Sequence, residues 1–175
     1  MIPEIIITDR TKTGRILLSR RRGRDIRFVI SIGSAERLPA GFWSHPAKKL
    51  RLTFADVEHS SDQCHACSWG DIETLVGFCK KIDKKVLIHC EAGISRSPAA
   101  ALILIAVKLG PGKEPEALEH LLSIEHAILP NRRMIWMADK ILNRAGALKA
   151  AHEKNWNFLV PNGLEIETPR PTPGS

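Results

Sequence analysis

The sequence contains no tyrosine and only nine aromatic residues, four tryptophans and five phenylalanines. None of these is interleaved with its arginine cluster, which argues against a base-stacking nucleic-acid surface. It also has no apolar run of membrane-spanning length. The longest, Ala99 to Val107, is far too short, so no membrane span is expected. The N-terminal Met1-Ile2-Pro3-Glu4 is not a basic region followed by an apolar one, so no secretory signal is expected either. There are four cysteines, Cys64, Cys67, Cys79 and Cys90. Without a signal, a disulfide framework is not expected, and the reduced cytoplasm is the default setting. No internal repeat is found.

What is present fits one soluble domain. The 175 residues are 43% hydrophobic and 26% charged, long enough for a single substantial core. Lys and Arg outnumber Asp and Glu, 26 to 19, for a formal net charge of +7. Much of the excess lies in Arg20-Arg21-Arg22-Gly23-Arg24. Such a surface attracts anionic partners, although a solvated basic loop would read the same way.

Hydrophobic patterning divides the chain into alternating elements. Strands are expected at Ile5–Thr8, Asp25–Ile32, Lys49–Phe54 and Lys85–His89, the last a continuous apolar run typical of a central parallel strand. Helices are expected at Asp71–Ile82, at Pro98–Leu109 (apolar all round, hence buried), at Glu114–Leu129, and at Arg132–Arg144 with room to run on towards Ala151. Alternating strands and helices imply a three-layer α/β fold with a mostly parallel central sheet flanked by helices. Residues 1–167 read as one domain. The Pro-rich 168–175 cannot pack a core and reads as a disordered tail.

The chemistry concentrates in Val86 to Ala101, V-L-I-H-C-E-A-G-I-S-R-S-P-A-A-A. It reads as buried strand, tight loop and buried helix, with Ser97 as the expected N-cap and Pro98 in the first helical turn. Backbone N–H groups of such a loop converge into an anion-binding concavity, reinforced by the helix dipole. Gly93 permits backbone angles that a side chain would forbid. Arg96 adds a planar, permanently charged fork suited to two phosphate oxygens. Cys90, at the floor of this cradle, would have its thiolate stabilised by the same groups. A thiolate aimed at a bound phosphate is placed for in-line attack.

The stretch H-C-E-A-G-I-S-R-S resembles the signature of the protein tyrosine phosphatase superfamily, Cys, five residues, Arg, then Ser or Thr. The A-G-x-S-R-S wording looks most like its dual-specificity branch. The resemblance covers roughly residues 25–143 and implies a fold like that of the phosphotyrosine protein phosphatases II. It implies a metal-independent, cofactor-free phosphomonoester hydrolase working through a phosphocysteine, with a phosphorylated protein or other phosphomonoester as partner. Residues Glu91, Ala92, Gly93, Ile94, Ser95 and Arg96 would bind the phosphate. Ser97 would hydrogen-bond the cysteine sulfur, and His89 would order the loop and tune the thiol. The family's general acid is an aspartate on a separate mobile loop after an earlier strand. Asp56, in L-T-F-A-D-V and 34 residues before Cys90, matches that layout, and Asp62 and Glu58 compete with it. Ile128-Leu129-Pro130-Asn131 resembles a Pro-Asn element that packs near the active site and starts a helix.

Two other readings stay open: a rhodanese-like sulfurtransferase, and a phosphate-binding module without turnover. An arsenate reductase of the low-molecular-weight type would carry its signature near the N-terminus. Cys64-His65-Ala66-Cys67 lacks the second ligand pair that zinc needs. One of its thiols could instead pair with oxidised Cys90. The substrate class, among phosphotyrosine, phosphoserine or phosphothreonine, phosphoinositide, RNA 5′-phosphate and small metabolite, is left open by the sequence.

Overall fold

A computed structural model describes residues 1–159, with side chains through Lys154. The expected Pro-rich tail, 168–175, lies outside the described residues. Four short strands, β1 (Ile5–Thr8), β2 (Phe28–Ile32), β3 (Lys48–Leu52) and β4 (Val86–His89), form one sheet in the order β1-β4-β2-β3. Every pairing is parallel, with Ile5 opposite Val86, Phe28 opposite Val86, and Phe28 opposite Lys48. The three-layer α/β class read from the alternating elements is the architecture found.

Side-chain alternation on the central strands sorts the core into two layers. Phe28, Ile30 and Ile32 of β2, with Val86 and Ile88 of β4, enter the larger cluster. Val29 and Leu87, pointing the other way, join Leu17, Ile26, Phe42 and Ala47. The first face is covered by α2 (Trp69–Lys81), α3 (Arg96–Leu109), α4 (Glu114–Ile124) and α5 (Arg132–Ile141). The second is covered by α1 (Arg10–Leu17) and the chain around Phe42. A last helix, α6 (Ala147–Leu159), packs beside α4 and α5.

The central strand β4 leads into α3, in which every residue from Arg96 to Ala106 is buried. Each fully buried Leu or Ile there contributes roughly 1.5–3 kcal/mol. The loop between the two is therefore held at both ends by the most deeply packed elements of the chain. It emerges at the carboxyl edge of the parallel strands, where open α/β sheets place their ligands.

Several boundaries differ from the sequence expectation. Helix α1 was not anticipated: R-T-K-T-G-R-I-L has three β-branched residues, Thr11, Thr13 and Ile16, and a glycine. Its start is fixed by the Asp9 carboxylate, which accepts the Lys12 N–H at 2.7 Å. The helix expected to reach Leu129 ends at Ile124, where Glu125 turns extended, although Ile128 is still buried. The expected Arg132–Arg144 helix stops at Ile141. Asn143 and Ala145 take φ of 53° and 51°, and Gly146 takes 90°, before α6 begins. The Asp139 carboxylate then caps α6 by accepting from the Gly146, Leu148 and Lys149 N–H groups. Ser97 is not the N-cap of α3. The helix starts at Arg96 after Ser95, and the Ser97 hydroxyl is directed elsewhere.

Candidate active site

The loop of residues 90–95 curls back on its first residue. The Gly93 N–H donates to Cys90 Sγ at 3.2 Å, and the Ser97 hydroxyl, from the first turn of α3, donates to the same sulfur at 3.2 Å. Cys90 is 1% exposed. Gly93 is required twice over. Its φ of +79° lies in the left-handed region, and a Cβ there would stand 2.9 Å from the Thr8 carbonyl carbon. The loop is thus pressed against the end of β1. The Arg10 N–H, at the start of α1, binds the Glu91 carbonyl at 3.3 Å. On the other side, the Leu129 N–H binds the Ile94 carbonyl at 2.8 Å and the Asn131 N–H binds the Ser95 carbonyl at 3.2 Å. Among the remaining loop side chains, Ala92 and Ile94 face solvent.

Arg96 is buried, with its Nη1 donating to the Phe54 carbonyl at 2.8 Å and its Nε 3.4 Å from Asp56 Oδ2. The guanidinium therefore spans from α3 to the chain leaving β3. Asp56 sits on that chain beside the loop. Its Oδ1 accepts from the Ser95 hydroxyl at 2.6 Å and from the Asn131 side-chain amide at 3.0 Å. The two competing carboxylates are placed differently. Asp62 lies exposed in the Ser61–Cys64 turn, and Glu58 borders a separate cleft with Arg132, Trp136 and Lys149.

His89 Nδ1 lies 3.2 Å from the Cys90 carbonyl. A carbonyl only accepts, so Nδ1 carries the ring proton. Burial pushes the His89 pKa down to about 4, against a smaller upward effect of that bond. The ring is therefore neutral at pH 7.

A cleft of about 490 Å³ opens onto this arrangement, lined among others by Arg37, Phe54, Asp56, Cys64, Glu91 and Arg96. At its rim the Glu91 carboxylate accepts from Arg10 Nε at 3.1 Å and from Arg37 Nη1 at 3.2 Å. Burial alone would raise the Glu91 carboxyl, but the bonds and charges of the two arginines outweigh it and hold it below the usual range. Arg51 of β3 donates to Ser31 Oγ at 2.7 Å and to the Ser34 carbonyl. Burial, and next the charge of Arg96, lower its pKa.

Sequence reasoning brought forward Cys90, Arg96, Ser97, His89 and Asp56, and the fold brings all five to one place. It passed over Arg10, Arg37 and Arg51, and the contact from Asn131 to Asp56. Only the alternation of Arg51 with Leu50 and Leu52 on β3 was there to be read. The basic run Arg20–Arg24 stays outside this grouping, on the turn after α1 with its four arginines exposed. Cys64 borders the cleft, whereas Cys67 turns inward with its sulfur 3.8 Å from Met137 Sδ. Burial pushes the Cys67 thiol up to about 11, against the opposing effect of Arg133. All four cysteines are free thiols. Among the described residues, no group of three or more His, Cys, Asp or Glu is placed to hold a metal ion, and no helix is long and apolar enough to cross a membrane.

The site is thus a cysteine-headed loop between a central parallel strand and a buried helix, the arrangement that the sequence signature led one to expect of a phosphatase-like fold. Known proteins similar to the chain include phosphatases and phosphatase-like proteins. It is 28% identical over 107 residues to Protein phosphatase Slingshot of Drosophila melanogaster, a match covering 61% of this chain and 10% of that protein. The chain thus spans about a tenth of that relative's length. Among solved structures it is similar to the human tyrosine phosphatase-like serine/threonine/tyrosine-interacting protein. There the TM-score is 0.55 at 20% identity, covering 78% of this chain and 87% of that one. It is also similar to human DUSP28, with a TM-score of 0.59 at 14% identity over 83% of this chain and 95% of that one. No family model matches the chain. The Slingshot match and these neighbours together indicate the dual-specificity protein tyrosine phosphatase superfamily.

Proposed function

We propose that the chain is a phosphomonoester hydrolase of the protein tyrosine and dual-specificity type, working in the cytoplasm through a phosphocysteine intermediate, with residues 1–167 as its single domain. The observation that carries this reading is the setting of one sulfur. Cys90 Sγ accepts two hydrogen bonds from its own loop and helix, and the Arg96 guanidinium, at the end of the same loop, reaches the Phe54 carbonyl and Asp56. Both donors aim at the sulfur that would attack phosphorus and hold it in place. In the first step the thiolate attacks phosphorus, the S–P bond forms, and the bond from phosphorus to the ester oxygen breaks. The departing oxygen takes its proton from the Asp56 carboxyl. In the second step water attacks phosphorus, its proton passes to the Asp56 carboxylate, and the S–P bond breaks. The Ser97 hydroxyl then stabilises the returning thiolate. Charge on the equatorial oxygens would meet Arg96 and the amides of residues 91–96, which are fixed before the reaction and need no reorganisation.

The names of the relatives, a protein phosphatase and a tyrosine phosphatase-like protein, agree with a phosphorylated protein as substrate. An open cleft whose Phe, Trp and Tyr lining among the described residues is Phe54 alone fits a shallow pocket of broad specificity. None of these steps calls for a metal or organic cofactor. The deciding experiment is hydrolysis of aryl phosphate and phosphopeptides by wild type, Cys90→Ser, Asp56→Asn and Asp62→Asn. Turnover should resist EDTA, yield to vanadate, and vanish in Cys90→Ser while substrate binding remains. Asp56→Asn should lose about 10²–10⁴-fold and Asp62→Asn little. Undiminished hydrolysis by Cys90→Ser would refute the reading. Tight phosphopeptide binding without wild-type turnover would make the chain a binding module, and thiosulfate turnover would make it a sulfurtransferase.

A further inference from the structure

The Asp56 carboxylate is held by Ser95 of the cysteine loop and by Asn131 at the start of α5, but the chain that carries it, residues 53–68, runs from β3 to α2 without regular secondary structure. This segment closes on itself through the Ala55 N–H and His65 carbonyl at 2.8 Å, the Ser61 N–H and Cys64 carbonyl at 2.8 Å, and the Ala66 N–H and Ser60 Oγ at 3.0 Å. Such bonds shape a lobe but do not orient it on the body of the protein. A second attachment does. Arg133, in the first turn of α5, donates from Nε to the Cys67 carbonyl at 2.9 Å and from Nη1 to the Glu58 carbonyl at 3.1 Å. One side chain thus joins the outgoing limb of the lobe, two residues past Asp56, to its returning limb just before α2.

We infer that Arg133 is a positioning residue for the proton donor: its guanidinium fixes the lobe on α5 and thereby sets where the Asp56 carboxyl stands when the leaving group departs. This rests on the reading of Cys90 and Asp56 proposed above. Three features carry the inference. The guanidinium is planar, so the angle between its two bonds is fixed and the separation of the two carbonyls is fixed with it. Both are charge-assisted bonds, about twice as strong as neutral ones, and the side chain is partly buried. The same helix end supplies the other grip: Asn131, the N-cap of α5, accepts the Met134 N–H at 3.1 Å through Oδ1 while its amide donates to Asp56. The first turn of α5 therefore holds the lobe twice, at the carboxylate and at the backbone. Arg133 itself exchanges no proton and touches no substrate.

Losing such a residue has its own kinetic signature. Proton donation matters most when the leaving group is a poor one. Phenol, with a pKa of about 10, needs it more than the far more acidic p-nitrophenol. A misplacement on the order of 1 Å can cost about 10²-fold. The test uses the full chain as wild type, Arg133→Leu and Arg133→Lys, on phenyl phosphate and p-nitrophenyl phosphate across pH. Hydrogen exchange of residues 57–67 is followed in parallel. We expect Arg133→Leu to lose roughly 10–100-fold in kcat/KM on phenyl phosphate and under about 3-fold on the nitrophenyl ester. The alkaline limb of its pH profile should flatten, and exchange in 57–67 should quicken. Arg133→Lys, keeping one charged donor, should recover part of each effect. Equal losses on both esters, or unchanged exchange in 57–67, would overturn the inference while leaving the phosphatase reading intact. If Arg133→Leu does not fold, Arg133→Lys decides alone: an intact chain with wild-type leaving-group dependence would also overturn it. A wild-type chain inert toward both esters would remove the phosphatase reading itself, and the role of Arg133 in proton transfer with it.

Discussion

The Ser97 hydroxyl donates to Cys90 Sγ at 3.2 Å from within the first turn of α3, so a residue suited to capping that helix instead serves the sulfur. In the proposed two-step reaction this donor matters most when sulfur leaves phosphorus. Ser97→Ala should therefore slow breakdown of the phosphoenzyme more than its formation. Turnover is expected to fall by about 10²–10³-fold, the range for loss of one preorganised donor. Rapid-quench measurement on p-nitrophenyl phosphate should show a burst close to one equivalent of nitrophenol. Because Ser95 precedes the helix and Ser97 does not cap it, the melting temperature should change little. A drop in turnover with no burst would place the role of Ser97 in the first step.

Gly93 and Gly77 make a matched pair for the loop's geometry. At Gly93 the backbone has φ of +79° and a Cβ would meet the Thr8 carbonyl carbon at 2.9 Å; at Gly77, inside α2, nothing lies within 4 Å. Gly93→Ala must either leave the left-handed region or stay in it, at roughly 1–2 kcal/mol, and push β1 away. Either response opens the ring that returns the Gly93 N–H to Cys90. Gly77→Ala should instead stabilise by about 0.5–1 kcal/mol. Urea denaturation of both variants, with activity assays, checks the contrast. A Gly93→Ala protein as stable and active as wild type would show that the loop is looser than the contact implies.

The contrast also marks what the sequence discloses. The strand from Val86 to His89 and the helix after Arg96 were legible because each carries a continuous apolar run, Val86–Ile88 and Pro98–Val107, and the loop between them because Cys, Gly, Arg and Ser have few other reasons to occur at that spacing. Asp56 was legible only as one of three carboxylates. What singles it out is the contact of its side chain with Ser95, Arg96 and Asn131, residues 39 to 75 positions away, which no local pattern encodes. Helix α1 was hidden because its burial rests on Leu17 and on small residues at Thr13 and Gly14 rather than on an apolar stripe. The break between α5 and α6 was hidden because Asn143 and Ala145 adopt positive φ without being glycines. Arg10 and Arg37 converge on Glu91 by topology alone, since one begins α1 and the other follows β2.

Arg144 and Glu114 form an almost fully buried ion pair, 3.2 Å apart, with side chains 5% and 2% exposed. Arg144 Nη2 also donates to the Ala106 carbonyl at 3.1 Å, so the pair joins α3, α4 and the turn before α6. Neither Arg144 Nη1 nor Glu114 Oε1 is aligned for a hydrogen bond, which makes the contact ionic. Taking away one partner strands the other charge in the core. Glu114→Ala is expected to cost about 3–5 kcal/mol, and the double variant Glu114→Ala/Arg144→Ala clearly less than the sum of the two single changes. A urea double-mutant cycle measures this. Strict additivity would mean that water already solvates the pair.

Acid sensitivity should come chiefly from two buried histidines. Burial pushes both His89 and His152 down to about 4, opposed in His89 by its bond to the Cys90 carbonyl and in His152 by a bond to the Pro130 backbone. An unfolded chain protonates histidine near 6.5, while the folded chain waits until about 4, so the unfolded state binds more protons throughout that window. The sign is therefore fixed: stability is complete above pH 6.5 and is lost as pH falls towards 4, by up to about 3 kcal/mol for each histidine. Asp9 and Glu91, held below the usual carboxylate range, act in the same direction but at lower pH. Urea midpoints at pH 7.5 and 4.5 should differ markedly in wild type. His152→Gln, less stable at pH 7.5, should retain only about half of that difference, because one of the two groups that charge on unfolding is gone. If its midpoint shifts as steeply with pH as that of wild type, the burial of His152 as a neutral ring is not what makes the fold sensitive to acid.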